Sequence, residues 1–267
     1  MKSLKNSSKI DSLWGHVDAL RRMLMQIVGM CIVLLIGFFV WMPRLFDSFV
    51  LAPCRNDFFT YQLMRRIVAL VRPDSSFLTE SFNVKLVNIQ LATPFFVHIS
   101  TSFWFAVLVS MPFILWKLWG FVAPALYSKE RASMKRVFWF SSVFFYLGAA
   151  LGYLLIFPIT LHFLTNYELS ASIPNQLTLT SYMDNFLMLI LLMGLAFQLP
   201  LLLLLLNKLG ILQRKLLQIH RRHAMVVLLI LSAIITPTGD PITLTLVALP
   251  LYLLYECSIF MMRKKAI

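Results

Sequence analysis

Residues 223 to 261 read HAMVVLLILSAIITPTGDPITLTLVALPLYLLYECSIFM, two apolar runs parted by Thr236-Pro-Thr-Gly-Asp-Pro241. Two prolines and a glycine within six residues favour a tight turn between two helices over one long helix. The first run is short: as a helix, Ala224 to Ile235 rises only about 18 Å against a hydrocarbon thickness of about 30 Å. Whether it counts as a crossing decides the architecture. Charge decides it, because merging the two runs would move Arg263, Lys264 and Lys265 to the side opposite the other cationic connections.

Outward from that turn, apolar stretches lie at about 24–42, 95–118, 137–160 and 182–206, with 223–236 and 241–261 completing the set. Eighteen of the Lys and Arg residues fall before the first, between the second and third, between the fourth and fifth, and after the last. The other six, Arg44, Arg55, Arg65, Arg66, Arg72 and Lys85, share one long connection on the opposite side, where the positive-inside rule is weak. The expectation is an all-α integral membrane protein with six transmembrane helices, both termini cytoplasmic, and helices 5 and 6 short. Composition excludes a soluble domain: 60% of residues are hydrophobic and the mean hydropathy is +0.81, against roughly 45 to 50% apolar residues in soluble proteins. The net charge of +13 then reads as topology rather than as a nucleic-acid surface. Cys31, Cys54 and Cys257 form neither a C-x-x-C nor a metal-ligand spacing. No small-residue cleavage site follows the first apolar run, which reads as a membrane helix and not a cleaved signal.

The chain divides as one polytopic membrane domain over 1–267. Residues 1–23 form a cytoplasmic amphipathic N-terminus, 43–94 a long external loop, 119–136 and 207–222 cytoplasmic loops, and 236–241 a tight external turn. Within the external loop, Phe59, Leu63, Ile67 and Leu70 recur with arginines between them, so Phe58 to Val71 is expected to form an interfacial helix.

Ionisable groups inside a membrane are costly and are functional suspects by default. Candidates by depth are Asp184, Glu256, His98 and His162, with Gln198 as a neutral member. Asp184 is expected to begin its helix, where a carboxylate suits the dipole, and His162 to end one; both read as structural. Gln198 precedes Pro200 by two residues, which suggests a kinked helix with a buried amide. That amide is either a partner-docking point or satisfied by a neighbouring helix. No H-E-x-x-H, G-x-S-x-G or P-loop is present, so neither catalysis nor a cofactor nor a metal is expected. His220 and His223 read as solvated. Two cytoplasmic segments differ from ordinary basic loops. One is Gly15 to Leu24, where Asp18 stands four residues before Arg22. The other is Trp116 to Arg131, which carries aromatics, Pro124 and a single carboxylate, Glu130, whose simplest role is to neutralise Lys129 or Arg131.

Those two segments, with Thr93-Pro-Phe-Phe96, Phe197-Gln-Leu-Pro200 and Thr236-Pro-Thr-Gly-Asp-Pro241, resemble in order the TatC family, the receptor subunit of the twin-arginine protein translocase. The resemblance runs from about His16 to Glu256. It implies a non-enzymatic receptor in the bacterial cytoplasmic membrane, with both termini inside, that binds signal peptides carrying an Arg-Arg pair on folded cargo. It further implies recruitment of TatA- and TatB-type single-span proteins, a homo-oligomer within a receptor complex, and transport driven by the proton motive force. By position, Phe121, Pro124, Leu126, Tyr127 and Glu130 match the family's signal-recognition loop, and Arg21 matches the arginine of its N-terminal motif. The family's Glu before Leu-Arg is replaced by Ala19, with Asp18 one place earlier; one step turns a helix by about 100°. Leu244 stands where the family often has Gln, so a polar cluster for partner helices is expected to rest on Gln198, Pro200, Thr236, Asp240, Thr243 and Thr245. The first external loop is longer than the family's. The alternative from another class is a secondary transporter of a small anion or metabolite, against which the two halves show no repeat.

Overall fold

The computed structural model of the chain describes residues 2–71, 84–122, 128–167, 170, 175–236 and 239–262. Helix α1 (Lys2–Leu45) is 44 residues long, so the amphipathic N-terminal segment runs into the first crossing as one continuous helix. Met23, Ile27, Cys31, Leu34 and Phe38 recur on it every three or four residues, half-buried, and Met42 is buried. That stripe lies against α3 (Thr93–Val122). Cys31 Sγ meets Ser110 Oγ at 3.4 Å, and the Phe39 ring stacks on His98 at 4.2 Å between centroids. The two helices therefore run antiparallel.

Pro43 lies inside α1 and has no N–H to give the Phe39 carbonyl four residues earlier. His98 Nε2 donates to that carbonyl at 2.8 Å. Beyond α1 the chain closes into a cap: a π turn (Phe46–Val50), a 3-10 turn (Ala52–Cys54), α2 (Phe59–Val71) and β1 (Leu86–Val87). Helix α2 forms where the amphipathic pattern predicts it. The tight turns leave carbonyls pointing at neighbours, and tyrosines supply the donors. Tyr153 donates to the Phe49 carbonyl and Tyr61 to that of Pro53, each at 2.9 Å, and Tyr182 donates to that of Val50. Burial pushes the Tyr61 hydroxyl well above its ordinary pKa, which keeps it a donor. A short parallel pairing of β1 with β2 (Leu177–Thr178) ties this cap to the second connection on the same end.

The third crossing is a rod of α4 (Ser128–Leu151), a π turn (Gly152–Ile156) and α5 (Phe157–Asn166). The irregular turn has a cause in Pro158, which withholds a donor from the Leu154 carbonyl. Thr60 on α2 donates to that carbonyl. The fourth crossing is α6 (Leu179–Ala196) and α7 (Leu199–Lys208), broken at Phe197–Gln198 ahead of Pro200. Thr178 caps α6, accepting from the Ser181 N–H. The expectation for Asp184 is thereby corrected: it is exposed in the second turn, and the hydroxyl upstream takes the capping position. Rods α4 and α6 touch along glycines. A Cβ on Gly148 would meet the Met193 carbonyl at 2.6 Å, one on Gly152 would meet the Ile190 backbone at 3.2 Å, and one on Gly194 would meet the Phe145 ring at 2.7 Å. Gly148 and Gly152 stand four apart, the spacing that lets membrane helices approach backbone to backbone.

Helices α8 (Arg214–Ile219), α9 (Arg221–Ile235) and α10 (Pro241–Met261) complete the chain. The α9–α10 turn uses Gly239 at φ 60°, a backbone conformation that costs glycine little. Among the described residues five helical stretches are long and apolar enough to cross a membrane, and α10, at 21 residues, is the shortest of them. With α9 they make the six expected crossings; α9 has 15 residues, about 22 Å of rise. Helix enters two of the expected cytoplasmic loops: within 119–136 it runs to Val122 and again from Ser128, and 207–222 contains α8.

Because α4 and α6 meet through glycine, Gly148→Ala is expected to lower stability by about 1–3 kcal/mol through forced separation of the rods. Gly29→Ala, whose methyl meets no atom within 4 Å, is expected to be neutral or mildly stabilising. Thermal unfolding of both variants in the same detergent checks the difference.

Candidate functional site

The α1–α3 register fixes what gathers at the end opposite the cap. Cys31 faces Ser110; ten residues back along α1 is Arg21 and ten residues on along α3 is Gly120, so the two are level. Asp18 lies almost one turn further, level with the end of α3. Helix α4 restarts at Ser128, and Glu130 is its third residue. Asp18, Arg21, Phe121 and the first turn of α4 thus come to one end of the bundle, around the five-residue connection. Asp18, Arg21 and Arg22 are exposed, and no ion pair joins Asp18 to Arg22 among the described residues. Pro124, Leu126, Tyr127 and the side chain of Glu130 lie outside the described residues.

The six residues expected to form a polar cluster fall into two groups. Gln198 reaches α4: its amide donates to the Ser141 carbonyl at 3.1 Å, and the Ser141 hydroxyl donates to its carbonyl oxygen. Both ends of the amide are satisfied by the neighbouring rod. Beside this pair a cavity of about 300 Å³ is lined by Phe140, Phe144, Pro200, Leu201 and Met261. Thr236, Asp240, Thr243 and Thr245 belong to the α9–α10 turn instead. Asp240 Oδ1 caps α10, accepting from the Thr243 N–H at 2.8 Å, and the Thr243 hydroxyl meets that of Thr160 on α5 at 3.0 Å. Thr236 and Thr245 donate to carbonyls one helical turn earlier on their own strands of chain, those of Ser232 and Pro241. Gln198 is nineteen residues into its rod, roughly 28 Å along it, whereas Thr243 is in the first turn of α10.

The remaining intramembrane candidates are occupied by structure. Glu256 accepts from Arg221 at 2.8 Å and from the Tyr252 hydroxyl at 3.3 Å, closing α9 on α10. His98 serves the carbonyl freed by Pro43. His162 lies beside the Tyr61 ring at 5.9 Å and near the Asn166 amide, in the last turns of α5. Sequence reading missed the partners: Ser141, Thr160, Thr60 and the three tyrosines. Pro43 and Pro158 pointed to the carbonyls needing donors, but nothing in the sequence pointed to where the donors would come from.

The Gln198–Ser141 pair is expected to couple measurably. In a double-mutant cycle with Gln198→Leu and Ser141→Ala, the coupling energy should lie at about 0.5–1.5 kcal/mol, the range of hydrogen bonds between membrane helices; a value near zero would show that the two side chains act separately.

Comparison with known proteins agrees with this architecture. The family model for the Sec-independent protein translocase protein (TatC) matches residues 15–250. The TatC protein of Blattabacterium sp. subsp. Periplaneta americana is 30% identical over 258 residues, covering 96% of this chain and 97% of its own. That of Deinococcus radiodurans is 33% identical over 207 residues, covering 77% and 76%. A crystal structure of the twin-arginine translocase receptor TatC in the detergent DDM superposes with a TM-score of 0.72 at 27% identity, covering 93% of this chain and 99% of that one. The chain therefore shares its fold with that receptor, and it is a multi-pass membrane protein belonging to the TatC family of protein translocase components.

Proposed function

We propose that the chain is the signal-peptide receptor of its translocase, and that the end where α1, α3 and α4 converge reads the Arg-Arg pair. The observation carrying this reading is the α1–α3 register, which sets Asp18 and Arg21 level with the end of α3 and hence beside the connection leading into Glu130. A guanidinium pair approaching this end meets a surface rich in Lys and Arg. It binds there only where carboxylates offset the repulsion, and a carboxylate accepts a guanidinium fork bidentately. Glu130 takes the principal role. Asp18 contributes from α1, where Ala19 replaces the family's carboxylate. Phe121, Pro124, Leu126 and Tyr127 supply apolar walls, and Arg21 orients the acidic pair.

In this reading the protein sits in the bacterial cytoplasmic membrane with both termini inside and works as a homo-oligomer. TatA- and TatB-type single-span partners dock at the two polar sites: the Gln198–Ser141 pair with Pro200 and its apolar cavity, and the Thr236–Thr245 turn of the short α9. Folded cargo moves on the proton motive force.

The test is photocrosslinking of a twin-arginine signal peptide to the chain in membranes. Glu130→Gln is expected to weaken capture about tenfold or more, as befits loss of a charged hydrogen bond, and Asp18→Ala in that background should weaken it further. Unchanged capture with Glu130→Gln removes Glu130 from the role. An Asp18→Ala change without effect in the weakened background shows that Ala19 marks a real loss.

A further inference from the structure

From the α7–α8–α9 connection we infer a second binding site: the stretch from Lys208 to Arg222 grips the phosphates of anionic bilayer lipids. Between Asn207 and His223 there are five Lys or Arg residues and no Asp or Glu. Two of the five are used internally. Arg214 donates to the Met262 carbonyl at 3.0 Å, and Arg221 pairs with Glu256. Lys208, Lys215 and Arg222 are exposed and enter no ion pair among the described residues.

A solvated loop would surround such cations with polar residues. This one surrounds them with apolar ones: Ile211 and Ile219 are each 65% exposed, and Leu209 and Leu216 are exposed as well. Exposed aliphatic side chains alternating with cations are the composition of a segment lying at the headgroup–acyl boundary. The Tyr255 hydroxyl, donating to the Leu217 carbonyl at 2.8 Å, holds α8 against α10, so the segment is fixed rather than free to swing away.

Depth comes from α9. Its outward face turns apolar at Met225, Val226 and Val227, all exposed, three residues after Arg222. Arg222 is therefore about 4.5 Å along the helix from side chains immersed in hydrocarbon, at the level of lipid phosphate. Because α9 rises only about 22 Å against a hydrocarbon core of about 30 Å, the bilayer must thin beside it or the connection must sink. Either adjustment brings Lys208, Lys215 and Arg222 into contact with the phosphate layer. Topological bias alone accounts for cations on this end, but not for the exposed aliphatic residues between them.

The experiment uses the purified full chain, delipidated and given phosphatidylglycerol or phosphatidylcholine, with bound lipid read by native mass spectrometry. The chain is expected to retain phosphatidylglycerol preferentially. The triple variant Lys208→Gln, Lys215→Gln, Arg222→Gln should reduce that preference by about tenfold or more, since each cation near an anionic surface adds to the attraction. Arg44→Gln, at the cap end, should keep it. Equal retention of both lipids, an equal loss with Arg44→Gln, or displacement of the lipid by millimolar inorganic phosphate overturns the proposal. Should the triple variant misfold, hydrogen exchange of the unsubstituted chain in nanodiscs decides instead. Amides of 208–222 are expected to exchange more slowly with phosphatidylglycerol present than with phosphatidylcholine alone, and identical exchange overturns the site.

Discussion

A backbone carbonyl inside a bilayer has no water to turn to, and in this protein the prolines and tight turns create several such carbonyls that must find donors elsewhere. Pro43 opens one near the end of α1 and Pro158 another at the start of α5, and the π and 3-10 turns after α1 open three more. Each is met by a side chain from another element: His98 for Phe39, Thr60 for Leu154, and Tyr153, Tyr182 and Tyr61 for the turns. Apart from Tyr61, eight residues from Pro53, the donors lie 59 to 132 residues away in sequence, so satisfying the backbone and assembling the fold are largely the same event. The described part of the first connection is thereby a cap bolted to α3, α5 and α6.

The consequence for function runs along the helices. His98 and Phe39 fix where α1 starts against α3 at the cap end, and a rigid helix carries that register some eighteen residues to Arg21 at the other. A half-buried stripe of alternating sizes keeps the two in step, from Met42 back to Met23. The signal-peptide site proposed at the far end takes its geometry from hydrogen bonds made at the near end. The close glycine contact of α4 with α6 does the same for the second pair of rods, and it sets the distance across which Gln198 reaches Ser141.

Much of this was legible in the sequence. Apolar run lengths and the sides on which Lys and Arg fall give six crossings, and the turn at Thr236 to Pro241 gives the short fifth. The amphipathic pattern from Phe58 to Val71 gives α2. Signals of this kind are local and periodic, which is why one sequence suffices. Less legible were features depending on what packs beside what. Glu256 looked available because an isolated polar residue in an apolar run is a functional suspect, and for Gln198 satisfaction by a neighbouring helix was one of two open readings; Arg221, 35 residues away, and Ser141, 57 residues away, satisfy them. Asp184 looked like a helix start because the real cap, Thr178, lies in a segment with no apolar period. The continuity of α1 was legible from Gly15 on, because the change of composition near Met23, from charged to apolar, changes the solvent around the helix but not its hydrogen bonding.

The register of α1 against α3 links these points, and a cysteine scan measures it directly. In a background with Cys31, Cys54 and Cys257 replaced by alanine, Met23→Cys is paired in turn with single cysteines at positions 115 to 121, and disulfide formation in native membranes is quantified. The account predicts a maximum at Lys117 to Trp119, eight residues on from Ser110 as Met23 is eight residues back from Cys31. A maximum displaced by a turn or more, or none, would contradict it and would separate Asp18 and Arg21 from the connection that leads to Glu130.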